Sequence, residues 1–248
     1  MRALSASDLL RVWERAAHDA PVHQALSLLA AAYPDHEIGA LAELSIGQRD
    51  ALLLRLREAT FGPTLTGVAD CPACRARIEI ALNAAELDMP SSASTFGSMS
   101  ASGAAVEAGD YVLQLRPPNS HDVVAAAPLE MSNARVAILR RCVLSAQRGG
   151  MPVGPDDVPA AALEIAEQRL ADRDPQADVR LRLVCPACEH DTTMIFDITS
   201  FLWHEIDAWA CRILREVHTL ASAYGWTEEA ILALTPFRRQ CYLELVGP

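Results

Sequence analysis

Asp70-Cys71-Pro72-Ala73-Cys74-Arg75 and Val184-Cys185-Pro186-Ala187-Cys188-Glu189 are two copies of one short pattern, with residues 75–184 lying between the cysteine pairs. A Cys-x-x-Cys turn presents two thiolates to a common point while its amides face the sulfurs. One copy therefore supplies half of a tetrahedral metal site, and two copies supply a whole one. Cys71, Cys74, Cys185 and Cys188 are accordingly expected to hold one structural zinc ion per chain. With four sulfurs bound, no coordination position remains for water or substrate. The separation is far longer than the roughly 15–20 residues of a compact zinc ribbon. Loop-closure entropy grows only logarithmically with length, so a long insertion is tolerated. A crosslink across it removes roughly 4–5 kcal/mol of unfolded-chain entropy.

The residues beside both pairs alternate with a period of two. Ala76, Ile78, Ile80 and Leu82 alternate with Arg75, Arg77 and Glu79 after the first pair. Val179, Leu181 and Leu183 alternate with Arg180 and Arg182 before the second, and Met194, Phe196 and Ile198 with Ile195 and Asp197 after it. Each pair should sit at the bend of a hairpin, and a shared metal is expected to hold both hairpins in one small sheet. Three other readings remain open: a thioredoxin-type redox pair, two separate sites completed by another chain or by His190, and unligated buried thiols. A redox pair sits where a strand enters a helix, whereas strand-like sequence follows both pairs here.

Outward from the pairs the period is helical. Ser5 with Asp8 marks the start of one helix, Pro21 opens a second, and Ser45-Ile46-Gly47-Gln48 fits a capping box that starts a third, ended at Gly62-Pro63. Leu202, Ile206, Trp209, Ile213, Val217, Leu220 and Tyr224 form one apolar stripe that Gly225 ends. Thr227 starts a further helix, with Trp226 and Ile231 placed as a hydrophobic staple, and Thr235-Pro236 restarts it. Between the pairs, residues 90–108 read as a flexible Ser-, Ala- and Gly-rich loop and Tyr111 to Arg116 as a short strand. Ser120 to Ser145 and Asp156 to Asp172 read as helices, joined by a breaker-rich connection through Gly149-Gly150 and Pro155. The fold class is mainly helical α+β: N- and C-terminal helices around a small antiparallel zinc-ribbon-like β region. The regions expected are 1–63, 64–198 and 199–248, forming one compact unit.

With 51% hydrophobic and 21% charged residues, the 248-residue chain is globular in composition. Its net charge of −11 repels phosphate backbones and argues against nucleic-acid binding. No run approaches the roughly 18 apolar residues of a membrane span, and no secretory signal opens the sequence. A cytoplasmic location follows, where reduced thiols favour metal over disulfides. No nucleophile elbow, phosphate loop, dinucleotide fingerprint or His-Glu-x-x-His helix is present, and His204-Glu205 has no companion motif, so no enzyme is expected. Cys142, Cys211 and Cys241 lie in helical patterns and read as small core residues.

Three blocks, LLRLREATFGPTLTGVADCPACRARIEI (Leu53 to Ile80), LVCPACEHDTTMIFDITSFLWHEI (Leu183 to Ile206) and YGWTEEAILALTPFRRQCYLELV (Tyr224 to Val246), carry a family resemblance. Together they resemble the baseplate proteins related to the T-even phage hub assembly chaperone, found with contractile phage tails and extracellular contractile injection systems. The resemblance implies an assembly factor or minor structural component of a baseplate hub, with other baseplate or hub proteins as partners and no reaction. A protein of this kind could be incorporated in the assembled particle. The zinc reading rests on this sequence and not on the resemblance. A thiol-disulfide oxidoreductase using the Cys-Pro-Ala-Cys pairs and a general zinc-ribbon adaptor are the alternatives. The stripe from Leu202 to Tyr224 packs inside or meets a partner helix, and Arg238 and Arg239 beside Phe237 and Tyr242 are a solvated face or interface anchors.

Overall fold

Local capping chemistry sets several helix starts in the computed structural model, which describes residues 1–88 and 103–247. Ser5 and Asp8 form the capping box of α1 (Ala6–Ala16), and Pro21 is the first residue of α2 (Pro21–Ala32). After the short α3 (Ile38–Ala42), Ser45 and Gln48 form a second capping box at α4 (Ile46–Phe61). The chain continues through β1 (Thr64–Asp70), β2 (Arg77–Asn83), α5 (Ala84–Leu87), β3 (Ala104–Ala108) and β4 (Tyr111–Leu115). Next come α6 (Ser120–Ala126), α7 (Met131–Cys142), β5 (Val143–Arg148), β6 (Met151–Val153) and α8 (Ala160–Arg173). It closes with β7 (Arg180–Val184), β8 (Asp191–Ile195), α9 (Ile198–Tyr224), α10 (Glu228–Leu232) and α11 (Pro236–Val246). Thr227 and Thr235 cap the last two helices through the amides of Ala230 and Arg238.

The class is mainly helical α+β with small antiparallel sheets, ordered β1-β2, β3-β4-β5-β6 and β7-β8. Here the structure corrects three sequence expectations. The two cysteine hairpins are separate two-stranded sheets and share no ladder. Residues 104–108, expected as loop, form β3; the expected loop residues 90–102 lie outside the described residues. The helix expected through Ser145 ends at Cys142, and β5 turns into β6. Gly149 and Gly150 both have positive φ, +56° and +84°, the backbone that a two-residue hairpin turn demands and that glycine alone adopts freely. The Gly-Gly breaker is thus a hairpin bend.

The described chain divides into two compact units: Met1–Asp35 with Thr199–Pro248, and His36–Ile198. Of the expected region 1–63, residues 1–35 fall in the first unit and 36–63 in the second. In the first unit α1 packs on α2 and α10, Leu10 lies with Ala210 and Ile213, and Trp13 Nε1 donates to Asp207 at 2.8 Å. A second cluster, Val217, Leu220 and Ile231, is ringed by Trp226, Leu232, Tyr242, Leu243 and Val246, with Trp226 and Ile231 at the staple positions. The α9 stripe is therefore mostly core: Leu202, Ile206, Ile213, Val217 and Leu220 are buried.

In the second unit α4 is buried on nearly every side. Its N-terminus receives Asp174: the Gly47 amide donates to Asp174 Oδ2 at 2.9 Å, and a Cβ on Gly47 would lie 2.0 Å from Oδ1, so only glycine admits this approach. The four-stranded sheet packs one face on α7 and α8 through Val106, Leu113, Leu115, Leu139, Leu163 and Leu170. Asp122, fully buried, accepts two hydrogen bonds from Arg116, at 2.6 and 2.9 Å, and one from Arg141 at 2.8 Å, tying α6 to β4 and α7. Burial raises the Asp122 pKa, but the two guanidinium groups and the Asn119 amide outweigh it and hold the carboxyl below its usual range.

Candidate metal centre

The first hairpin is built onto α4. Leu65, Gly67 and Ala69 of β1 face Leu82, Ile80 and Ile78 of β2 on the inner side, so the smallest residues stand opposite the largest. Arg57, buried at the end of α4, donates to the Gly62 carbonyl at 2.6 Å and to the Thr64 carbonyl at 2.7 Å, fixing where β1 starts. The second hairpin is closed at its base by the Phe196 amide on the Val179 carbonyl at 2.8 Å. Near its bend Arg182 Nε donates to Asp191 at 2.7 Å.

Both bends have the same backbone. The amide of the first cysteine bonds the carbonyl five residues on, Cys71 to Ala76 and Cys185 to His190, each at 2.9 Å. The amide of the residue after the second cysteine returns to the first, Arg75 to Cys71 at 2.8 Å and Glu189 to Cys185 at 2.9 Å. Arg75 and Glu189 pay with positive φ, +60° and +57°, uncommon for residues bearing a side chain.

These bends bring the sulfurs of Cys71, Cys74, Cys185 and Cys188 within 4.8 Å of one another. Cys71 Sγ lies 3.7 Å from Cys188 Sγ, and Cys74 Sγ lies 3.6 Å from Cys185 Sγ. A tetrahedral ion with metal–sulfur bonds of about 2.3 Å needs sulfurs roughly 3.8 Å apart. The donor set and its dimensions thus fit a metal ion. Cys71 and Cys185 are buried with Ile78, beside Ala76 and Ile80; Cys74 and Cys188 are exposed.

Amide hydrogen bonds prepare the sulfurs for the thiolate form that metals take. The Cys74 amide, against the opposing effect of burial and helped by the Ala73 amide and the thiols of Cys185 and Cys188, draws Cys71 down to about 6. At Cys188 the His190 amide favours the thiolate, but hydrogen bonds with Cys74, Cys185 and Cys71 and burial together push it up to about 12. Four thiols this close therefore share the cost of ionising, a cost that a cation removes.

The remaining cysteines divide. Cys142 is buried against the four-stranded sheet, and burial pushes its thiol up to about 12. Cys211 and Cys241, expected in the core, are exposed, because they fall on the outward sides of α9 and α11. His190 is exposed and stands outside the sulfur cluster. Sequence reasoning missed Arg57, Asp122 and Asp174, whose roles are tertiary; Asn119-x-x-Asp122, a capping box at α6, was the available signal for one of them.

A family model described as T4 bacteriophage base plate protein matches residues 6–203. The chain belongs to that family. Both cysteine pairs of this baseplate protein lie inside the matched residues, as does the four-stranded sheet between them, while the block from Tyr224 to Val246 lies beyond them. Membership gives the chain a baseplate-related structural role. No curated protein and no solved structure matches it significantly. No described helix is long and apolar enough to cross a membrane.

Proposed function

We propose that this baseplate protein is a non-enzymatic assembly factor or minor structural component of the baseplate hub in a phage-tail-like contractile injection system. One zinc ion bound by Cys71, Cys74, Cys185 and Cys188 stabilises it. The observation that carries the zinc half is the sulfur cluster itself: four cysteines from two remote bends within 4.8 Å. A four-sulfur tetrahedral set suits zinc, and also iron. Zinc so held has no open position, and its task is to crosslink. Family membership supports the baseplate setting, and contacts with hub proteins are the finer reading.

The oxidoreductase alternative is weaker on structural grounds. Each Cys-x-x-Cys bend here leads into a strand, β2 or β8, and not into a helix whose N-terminus would activate a thiolate. Elemental analysis of the purified protein tests the site: one zinc per chain, lost in Cys71→Ser, is expected. Cobalt substitution should give the visible absorption of a four-thiolate site. Stoichiometric iron with a reversible redox couple would overturn the structural-zinc reading. Deletion of the gene should leave particles without a competent hub; intact baseplates in the deletion strain would overturn the assembly role.

A further inference from the structure

The two faces of α11 differ sharply. Arg239, Tyr242, Leu243 and Val246 turn toward the cluster of Val217, Leu220 and Ile231, and Arg239 is fixed by Glu216 at 2.6 Å. On the other face Phe237 and Leu245 are 80% and 75% exposed, and Cys241 between them is exposed. The spacing is i, i+4, i+8, one continuous stripe along the helix.

Beside the stripe lies an aromatic platform. Tyr224 stacks on Trp226 with centroids 4.7 Å apart, and Tyr242 meets Trp226 edge-on at 4.8 Å and Tyr224 at 5.8 Å. Aromatics make up 5% of the chain, yet four of them, Tyr224, Trp226, Phe237 and Tyr242, fall in this short span. Arg238 stands over Tyr242, 5.8 Å from the ring centre, and among the described residues no carboxylate pairs with it. Its neighbour Arg239 has one. In a chain of 32 acidic residues and 21 arginines, an arginine left in this way beside apolar surface calls for an acid from outside.

We propose that α11 is a docking helix. Phe237, Cys241 and Leu245 enter an apolar groove on another protein of the particle, and Arg238 meets a carboxylate on the groove's rim. The stripe with Tyr224 offers on the order of 400 Å² of apolar surface, half of the roughly 800 Å² per partner in a standard interface. Two copies joined through it would bury about 800 Å² in total, below the roughly 1,200 Å² of stable complexes. A groove that takes one helix fits the size, because its walls also reach the helix flanks. Pre-stacked rings lose little conformational freedom on binding. The stripe lies beyond the family-matched residues 6–203, so the surface adds to the shared fold. The proposal rests on the baseplate reading.

The test is co-expression of the full-length tagged chain with the other baseplate proteins of its particle, followed by purification and quantification of what co-elutes. The unmodified chain should bring down one of them stoichiometrically. Phe237→Glu with Leu245→Glu should lower recovery at least tenfold with unchanged metal content and melting temperature, Arg238→Glu should lower it a fewfold, and Gln240→Glu should leave it unchanged. Benzoylphenylalanine in place of Phe237 should crosslink to apolar residues of that same partner. Full recovery with the double variant, or crosslinks only to a second copy of this chain, overturns the docking helix alone. An unmodified chain that joins no baseplate protein overturns the baseplate reading with it.

Discussion

The two cysteine hairpins share a bend and differ in what stands behind it. In the first, Leu65 and Ile78 are buried, the strands run seven residues each, and Arg57 ties the base to α4. In the second the strands are five residues each and none of their residues is buried. Its fixed points are the Phe196–Val179 hydrogen bond, the Arg182–Asp191 pair and the sulfurs. Alike at the bend, the hairpins differ at the base: the first has the buried Leu65 and Arg57, while the strands of the second bury no residue of their own, so a shared metal ion should matter more to the second.

Removing the crosslink is the most severe test of this difference. Cys185→Ser, or chelation, should abolish metal binding and cost at least about 4 kcal/mol. Amide exchange should reveal the asymmetry, with protection lost in β7 and β8 while β1 and β2 keep most of theirs; equal loss in both would break the comparison. Arg57→Ala acts from the other side. It strips two main-chain carbonyls of a buried charged donor and should cost about 3 kcal/mol by denaturant titration, raising exchange in β1 while the metal stays bound.

A pH dependence bears on the frame that both hairpins share, because Asp50 of α4 lies near Asp174 and Asp197, which flank the second hairpin. Burial, with Asp197 and Asp174 adding repulsion and Arg49 opposing, pushes its carboxyl from 3.8 up to about 6. The folded state therefore favours the protonated form. That contribution is complete below about pH 4 and is lost as pH rises through about 6, a change on the order of 2–3 kcal/mol. The difference in unfolding free energy between the unmodified protein and Asp50→Asn, followed from pH 4 to 7, isolates it. The smallest effect lies at the bends. Arg75→Gly and Glu189→Gly each relieve a positive φ, and each should raise stability by about 0.5–1 kcal/mol. The gain should be similar at both positions, since the bends are alike where their supports are not.

What was legible followed from local chemistry. The capping boxes of α1 and α4, the proline at the start of α2, the glycine ending α9 and the threonine caps of α10 and α11 are satisfied within a few residues, so a single sequence shows them. Gly149-Gly150 misled because two glycines in succession mark both a linker and a two-residue hairpin turn, and only the pairing of β5 with β6 decides between them. Cys211 and Cys241 misled because a cysteine in a helical pattern does not reveal which side of the helix meets the core.

Repeated Cys-Pro-Ala-Cys pairs, flanking strand alternation and capped helices determined, from the sequence alone, that two like bends would form and that their thiols had the spacing of metal ligands. The tertiary structure decided that the four sulfurs meet, that the two hairpins stay separate sheets, and that Arg57 of α4 fixes the base of the first. Capping and turn geometry are fixed by residues a few positions apart. The meeting of Cys71 with Cys188 is fixed by how the intervening sheet and helices pack, and no short-range pattern encodes that.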